Sequence, residues 1–230
     1  KEPRKRKGED VWETVPNELK AGLADLYGPI GNYNLFMSCE EPDPGAFREL
    51  PEGYSIRPCG RDEVDLWAET AAEKQYAPYV LDYYKGVYAK NEEEFFRRCL
   101  LLWDESGRPA GTCLTWTAYG RVNTLGWFRV LPEHEGKGLG RALLTKILRG
   151  ADMPVYLHTQ PTSVRAIKLY SDFGFRFITG PAIGHRRNDL DLSLPLLRRV
   201  MAGADYERLR FTETDGALHN AALSSEQSEF

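Results

Sequence analysis

VLPEHEGKGLGRALLTKIL, residues 130–148, sets Gly136, Gly138 and Gly140 directly before a leucine-rich helical pattern and shortly after Pro132. Leu139, Leu143 and Ile147 share one helix face, Leu144 and Leu148 lie beside them, and Gly150 ends the run. The spacing therefore predicts a helix opened by a loop of bare backbone. Amide N–H groups at a helix start lack internal partners and carry partial positive charge, which suits such a loop to a phosphate. Glycines let a ligand approach without Cβ clashes, and Lys137 and Arg141 add full charges beside it. Two other phosphate loops are excluded. A Walker loop needs GxxxxGK[ST], and a dinucleotide fingerprint needs a further glycine at Arg141 or Leu143. Spacing alone leaves a glycine turn with no ligand as open as a pyrophosphate site.

Upstream of this stretch, CLLLW, AGTCLTWTA and TLGWFRVL read as three strands joined by the turn formers DESGRP and YGRVN, which predicts an antiparallel meander. Before them come a strand in GYSIRP, helical runs in RDEVDLWAETAAEKQY and APYVLDYYKGVYA, and a short helix EEEFFRRC opened by Asn91 with Glu94 as a capping box. Downstream, MPVYLHT, SVRAIKLYSDF and FGFRFIT give strand, helix and strand. A meander followed by such a unit is a mixed α/β domain, with a mostly antiparallel sheet flanked by helices. DLDLSLPLLRRVM mixes period two with helical spacing around Pro195 and is left unassigned.

The expected organisation is an N-terminal extension over 1–50, a main domain over 51–200, and a largely flexible tail over 201–230. The extension carries one helix through Leu19, Leu23 and Leu26 and ends in the Pro-, Gly- and acid-rich connector CEEPDPGAFRELPEG. The 230 residues are 42% apolar, enough for a real core, and no run approaches the ~20 apolar residues of a membrane span. No secretion signal is visible, so a cytoplasmic protein is expected, without membrane partners. Cys39, Cys59, Cys99 and Cys113 are scattered without CxxC pairs, which speaks against a metal site or a disulfide framework. With a net charge of −4, the basic start KEPRKRKG is read as a solvated tail and no nucleic-acid partner is expected.

Taken together, VLPEHEGKGLGRALL and SVRAIKLYSDFGF resemble the two acetyl-coenzyme A motifs of the GCN5-related N-acetyltransferase (GNAT) family, a loop of the form V…P…[QR]xxGxG and a helix of the form NxxAxxLYxxxGF. The resemblance covers roughly residues 54 to 180, with the meander in the expected order. It implies the acyl-CoA N-acyltransferase fold with splayed central strands. It also implies acetyl-CoA as co-substrate, with its pantetheine arm bonded to backbone near Phe128 and Val130, and its pyrophosphate on Gly136, Lys137, Gly138, Leu139, Gly140 and Arg141. Ser163 stands where the family has Asn, as a cofactor contact or as a helix N-cap. Glu135 stands where the family has Gln or Arg, and is expected to turn outward or pair with Lys137 or Arg141.

The implied reaction is direct attack of a primary amine, on a small molecule or a protein, on the acetyl thioester. Tyr170 is the implied acid for the leaving thiolate and a further cofactor contact. NTLGWFRV lacks the fourth-strand glutamate of many relatives, which leaves His158 acting through water, or as a structural histidine; His134 is a weaker choice. Tyr79, Tyr83 and Tyr84 are the candidate acceptor wall, with ordinary helix packing as the other reading. A homodimer is compatible with this picture. The competing reading is a non-catalytic CoA-binding module with a regulatory or assembly role.

Overall fold

The computed structural model describes residues 33–213, 216–226 and 228–230. The helix expected around Leu19–Gly28 lies outside the described residues. The chain runs β1 (Leu35–Cys39), β2 (Tyr54–Pro58), α1 (Val64–Ala71), α2 (Ala77–Gly86), α3 (Glu92–Arg98), β3 (Cys99–Asp104), β4 (Pro109–Ala118) and β5 (Val122–Val130). It continues with α4 (Leu139–Leu148), β6 (Val155–Thr159), α5 (Val164–Asp172), β7 (Arg176–Ile178), the small hairpin β8 (Ala182–Ile183) and β9 (Arg186–Arg187), α6 (Leu190–Val200), α7 (Gly203–Glu207), β10 (Phe211–Thr212) and α8 (Ala217–Leu223). Eight strands form one sheet in the order β10-β7-β1-β6-β5-β4-β3-β2. Strand pairs β5–β6 and β10–β7 are parallel and the rest antiparallel. Among the described residues no helix is long and apolar enough to cross a membrane.

The meander β2 to β5 forms where alternation and turn chemistry place it. Asp104 closes the β3–β4 turn by accepting from the Ser106 and Arg108 amides, each at 2.9 Å. Helix α3 starts at Asn91, whose side chain accepts from the Glu94 amide. Two layers cover the sheet. On one face α4, α5 and α6 bury Leu143, Leu144, Ile147, Ile167, Tyr170 and Leu197 against Leu35, Met37, Leu125 and Leu157. Each aliphatic side chain buried this way contributes about 1.5–3 kcal/mol. On the other face α1 to α3 enclose Trp67, Tyr84, Tyr88 and Phe95 against Trp103 and Trp116. All four cysteines are buried with free thiols.

The structure differs from the expected division at residues 51 and 201. Residues 35–39 lie inside the sheet, where β1 pairs with β6 from Leu35↔Thr159 to Cys39↔Val155 and with β7 at Met37↔Phe177. All five of its residues are buried, so this part of the expected extension is a strand of the sheet. At the far end β10 pairs with β7 and α8 buries Leu218 and Ala221, so residues beyond 201 add to the fold. The unassigned stretch around Pro195 is α6. Leu190, Leu196, Leu197 and Val200 are buried on one face, which outweighs the ~3 kcal/mol cost of an interior proline. The connector after β1 crosses the end of α5 closely: a Cβ on Gly174, where φ is +92°, would stand 3.0 Å from the Glu41 carbonyl oxygen.

Candidate functional site

Strands β5 and β6 pair only over Asn123↔Val155, Thr124↔Tyr156 and Leu125↔Leu157 and then part. The cause lies in β5. Its pairing with β4 shifts between Thr112 and Leu114, and Trp127, one of the two residues opposite Cys113, adopts φ 52°. A non-glycine residue in the left-handed region costs on the order of 1–3 kcal/mol and needs support. Trp127 has it: its Nε1 donates to Tyr88 Oη at 2.8 Å, and its ring lies 5.9 Å from Trp67 and 5.6 Å from Tyr83. The bulge turns β5 off β6 and leaves Phe128 and Val130 on a strand edge that β6 does not cover.

The glycine loop stands at the mouth of this gap. Gly138 is the N-cap of α4, with φ +81° and nothing within 4 Å of a Cβ added there, and no side chain caps the helix. The first amides of α4 therefore face open space with positive partial charge. Gly140 does a different job: its added Cβ would meet Phe128 Cζ at 3.2 Å and Leu169 Cδ2 at 3.4 Å, so here glycine brings helix against strand. Leu139 is buried beside Leu102 and Ala110 and offers only its amide. Lys137 Nζ donates to Tyr54 Oη at 2.9 Å, and Tyr54 Oη lies 3.1 Å from His134 Nδ1.

Two charges are placed otherwise than expected. Arg141 turns from the loop to Asp172 at 2.6 Å and to the Ala46 carbonyl at 3.3 Å. Burial would raise the Asp172 carboxyl, but Lys168 and Arg141 outweigh it and hold the group below the usual carboxylate range. Glu135 pairs neither with Lys137 nor with Arg141 but with Arg165 on α5, at 2.7 Å. That partner comes from the second motif, because the starts of α4 and α5 flank the same gap. Ser163 occupies the N-cap position of α5 without a side-chain cap bond.

Tyr170 lies under the gap on the α4–α5 face, buried, with its ring 5.8 Å from Phe128 and 5.7 Å from Phe175. Burial pushes its phenol well above the ordinary tyrosine range. His158 lies across the sheet: its ring is 5.2 Å from Phe36, and Nε2 is 2.9 Å from Asn34 Oδ1. Asn34 donates its amide to Asp189 Oδ2 at 2.9 Å, and Asp189 pairs with Arg187. Burial first, and the Arg186 charge second, lower the imidazole to about 4. His158 is therefore neutral at pH 7, a strand-joining donor and a weak base.

Of the acceptor tyrosines, Tyr83 packs on Trp127 and Tyr79 is exposed, while Tyr84 turns inward. Its hydroxyl donates to Glu92 Oε1 at 2.8 Å and its ring lies 4.9 Å from Phe95. Burial, then Glu92, push that phenol up to about 12, so Tyr84 is a packing residue. Sequence reasoning missed Arg165 and Glu229. The first needed only the inference that the two motif helices start side by side. The second carries no local signal, because its partners Trp116 and Tyr119 are more than a hundred positions away in sequence.

Residues 62–175 match the model of the acetyltransferase (GNAT) family. A mycothiol acetyltransferase from Pseudarthrobacter chlorophenolicus is 34% identical over 192 residues, covering 73% of this chain and 57% of the relative. The chain thus spans little more than half the length of that relative. A GCN5-related N-acetyltransferase from Sphaerobacter thermophilus has 23% identity and a TM-score of 0.45 over 71% of this chain and 54% of its own. A spermidine N-acetyltransferase from Vibrio cholerae, in complex with CoA and spermine, has 18% identity and a TM-score of 0.40 over 54% of this chain and 81% of its own.

Proposed function

We propose that the chain, whose residues 62–175 match the model of the acetyltransferase (GNAT) family, transfers the acetyl group of acetyl-coenzyme A to a primary amine of a small molecule or a protein. The observation that carries this reading is the gap between β5 and β6, which opens after Leu125 beside the uncapped start of α4. An uncovered strand edge offers N–H and C=O groups to an amide-bearing arm, and the open space at Gly138 suits a diphosphate on the first amides of α4. To that cradle we assign Lys137, which stands in the loop, and Arg165, which pairs with Glu135, with Phe128, Val130 and Ser163 as the contacts of the arm.

When bound, acetyl-CoA would supply an acetyl thioester: the amine nitrogen would bond to its carbonyl carbon, the C–S bond would break, and the proton the nitrogen sheds would end on the departing sulfur as a free thiol. Tyr170 holds a proton at its Oη beneath the gap. Burial keeps that phenol protonated over the whole working range, so it serves the departing sulfur as a hydrogen-bond donor. Titration with acetyl-CoA by calorimetry, then thiol release with a panel of amines, tests the reading. Tyr170→Phe is expected to lower kcat by about tenfold or more while CoA affinity changes by less than about threefold. An unchanged kcat removes Tyr170 from the chemistry. The Glu135 carboxylate at the cradle favours a second reading, a non-catalytic CoA-binding module. CoA binding without thiol release on any amine selects it.

A further inference from the structure

The face of the sheet opposite Tyr170 carries an aromatic wall beside the gap. Tyr83 lies 5.6 Å from Trp127 and 5.3 Å from Tyr88, and Tyr88 lies 4.9 Å from Trp116. Residues 228–230 reach onto this wall from the end of the chain. Glu229 Oε2 accepts from Trp116 Nε1 at 3.2 Å and from the Tyr119 amide at 2.9 Å, and the Glu229 amide donates to Tyr119 Oη at 3.2 Å. Phe230 lies 5.9 Å from Phe36, the ring that also meets His158. The segment thus holds one carboxylate against Trp116 and Tyr119, beside the β4–β5 turn.

That carboxylate is left incomplete. Both of its donors go to Oε2, and among the described residues no hydrogen bond reaches Oε1 and no cation pairs with it. A carboxylate accepts at about four lone-pair positions, and a half-buried one is stabilised when a cation arrives. The ring faces of tyrosine and tryptophan attract the same species.

We propose that Glu229 is the acceptor-binding carboxylate of this site, holding the ammonium end of a cationic alkyl amine against Tyr83 and Trp127 beside the β5–β6 gap. The proposal rests on the acetyl-transfer reading and names its substrate class: amines that carry a free positive charge, in preference to neutral or acidic ones. Trp116 makes the site observable, because its indole N–H is bonded to the carboxylate in question.

The test uses the full chain labelled with 15N at the indoles, with the Trp116 resonance identified by Trp116→Phe. The probes are 1,4-diaminobutane and its uncharged analogue of equal length, 1,4-butanediol. The diamine is expected to shift the Trp116 resonance saturably and the diol to leave it in place. Glu229→Gln should weaken the diamine response at least tenfold, whereas Glu229→Asp, which keeps the charge, should weaken it less. Equal diamine affinity in Glu229→Gln, or no diamine response in the unaltered protein, overturns the proposal. The binding readout needs no turnover, and thiol release is measured separately, so the two claims fail separately. Diamine held through Glu229 without thiol release from acetyl-CoA sinks acetyl transfer and supports the site. Thiol release with the same amine KM in Glu229→Gln does the reverse.

Discussion

His158 shows how much a single residue's surroundings decide. Its Nε2 is tied to Asn34, and burial holds its imidazole at about 4 against an ordinary value of 6.5. Between those two values the unfolded chain binds more protons than the folded one, so stability rises with pH across that window. The contribution is complete above 6.5 and is lost as pH falls towards about 4. At pH 5 the loss relative to pH 7 is on the order of 2 kcal/mol. Denaturant melts of the native protein and of His158→Gln, which preserves a donor to Asn34, should differ by about that amount in their pH 7 to pH 5 change. Identical changes would show that the imidazole is not buried in solution. The residue scale also shows why expected ligand charges are unsafe to read from a motif. Arg141 and Glu135 stand in the loop, yet each is held by a partner on α5 or its end.

At the scale of elements, β1 is the largest addition to what the chain pattern shows. Met37 is fully buried on a strand hydrogen-bonded on both edges. Met37→Ala should cost about 2–5 kcal/mol, as for other core truncations, read from the urea midpoint at constant slope. A cost under about 0.5 kcal/mol would place residue 37 at the surface. The meander and helices α4 and α5 were legible because each is a local pattern: alternation with turn formers at 104–109, leucines at helical spacing after three glycines, and Gly174 as a stop. LFMSC was not, because five apolar or small residues before an acidic connector fit a loop start as well as a strand, and their partners come from residues 155–178. The same holds for the two-residue β10, which exists only through β7. Within the candidate site, local pattern marks the glycine loop at the start of α4, and the structure sets Tyr170 against Phe128 and Tyr83 against Trp127. The burial that turns Tyr84 inward and the hydrogen bond that occupies His158 arise from packing, which no motif spells out.

For the whole molecule, the gap between β5 and β6 divides the sheet into two halves joined at three residue pairs. A ligand lodged there touches both halves and stabilises the folded state by mass action. Free CoA at about a hundred times its Kd should add about 2.7 kcal/mol to unfolding, with acetyl-CoA similar and acetate inert. A denaturation midpoint that millimolar CoA fails to move would remove the binding site from this account.

The placement of β1 also orders events in time. It leaves the ribosome well before the strands on either side of it, which begin at residues 155 and 176. At ordinary synthesis speeds that interval is on the order of ten seconds. Through it the nascent chain carries an apolar ribbon with both edges bare, and the middle of the sheet cannot close until nearly the last strand has been made. Distant pairings of this kind slow folding, which makes this short segment the one most in need of a chaperone's cover during synthesis.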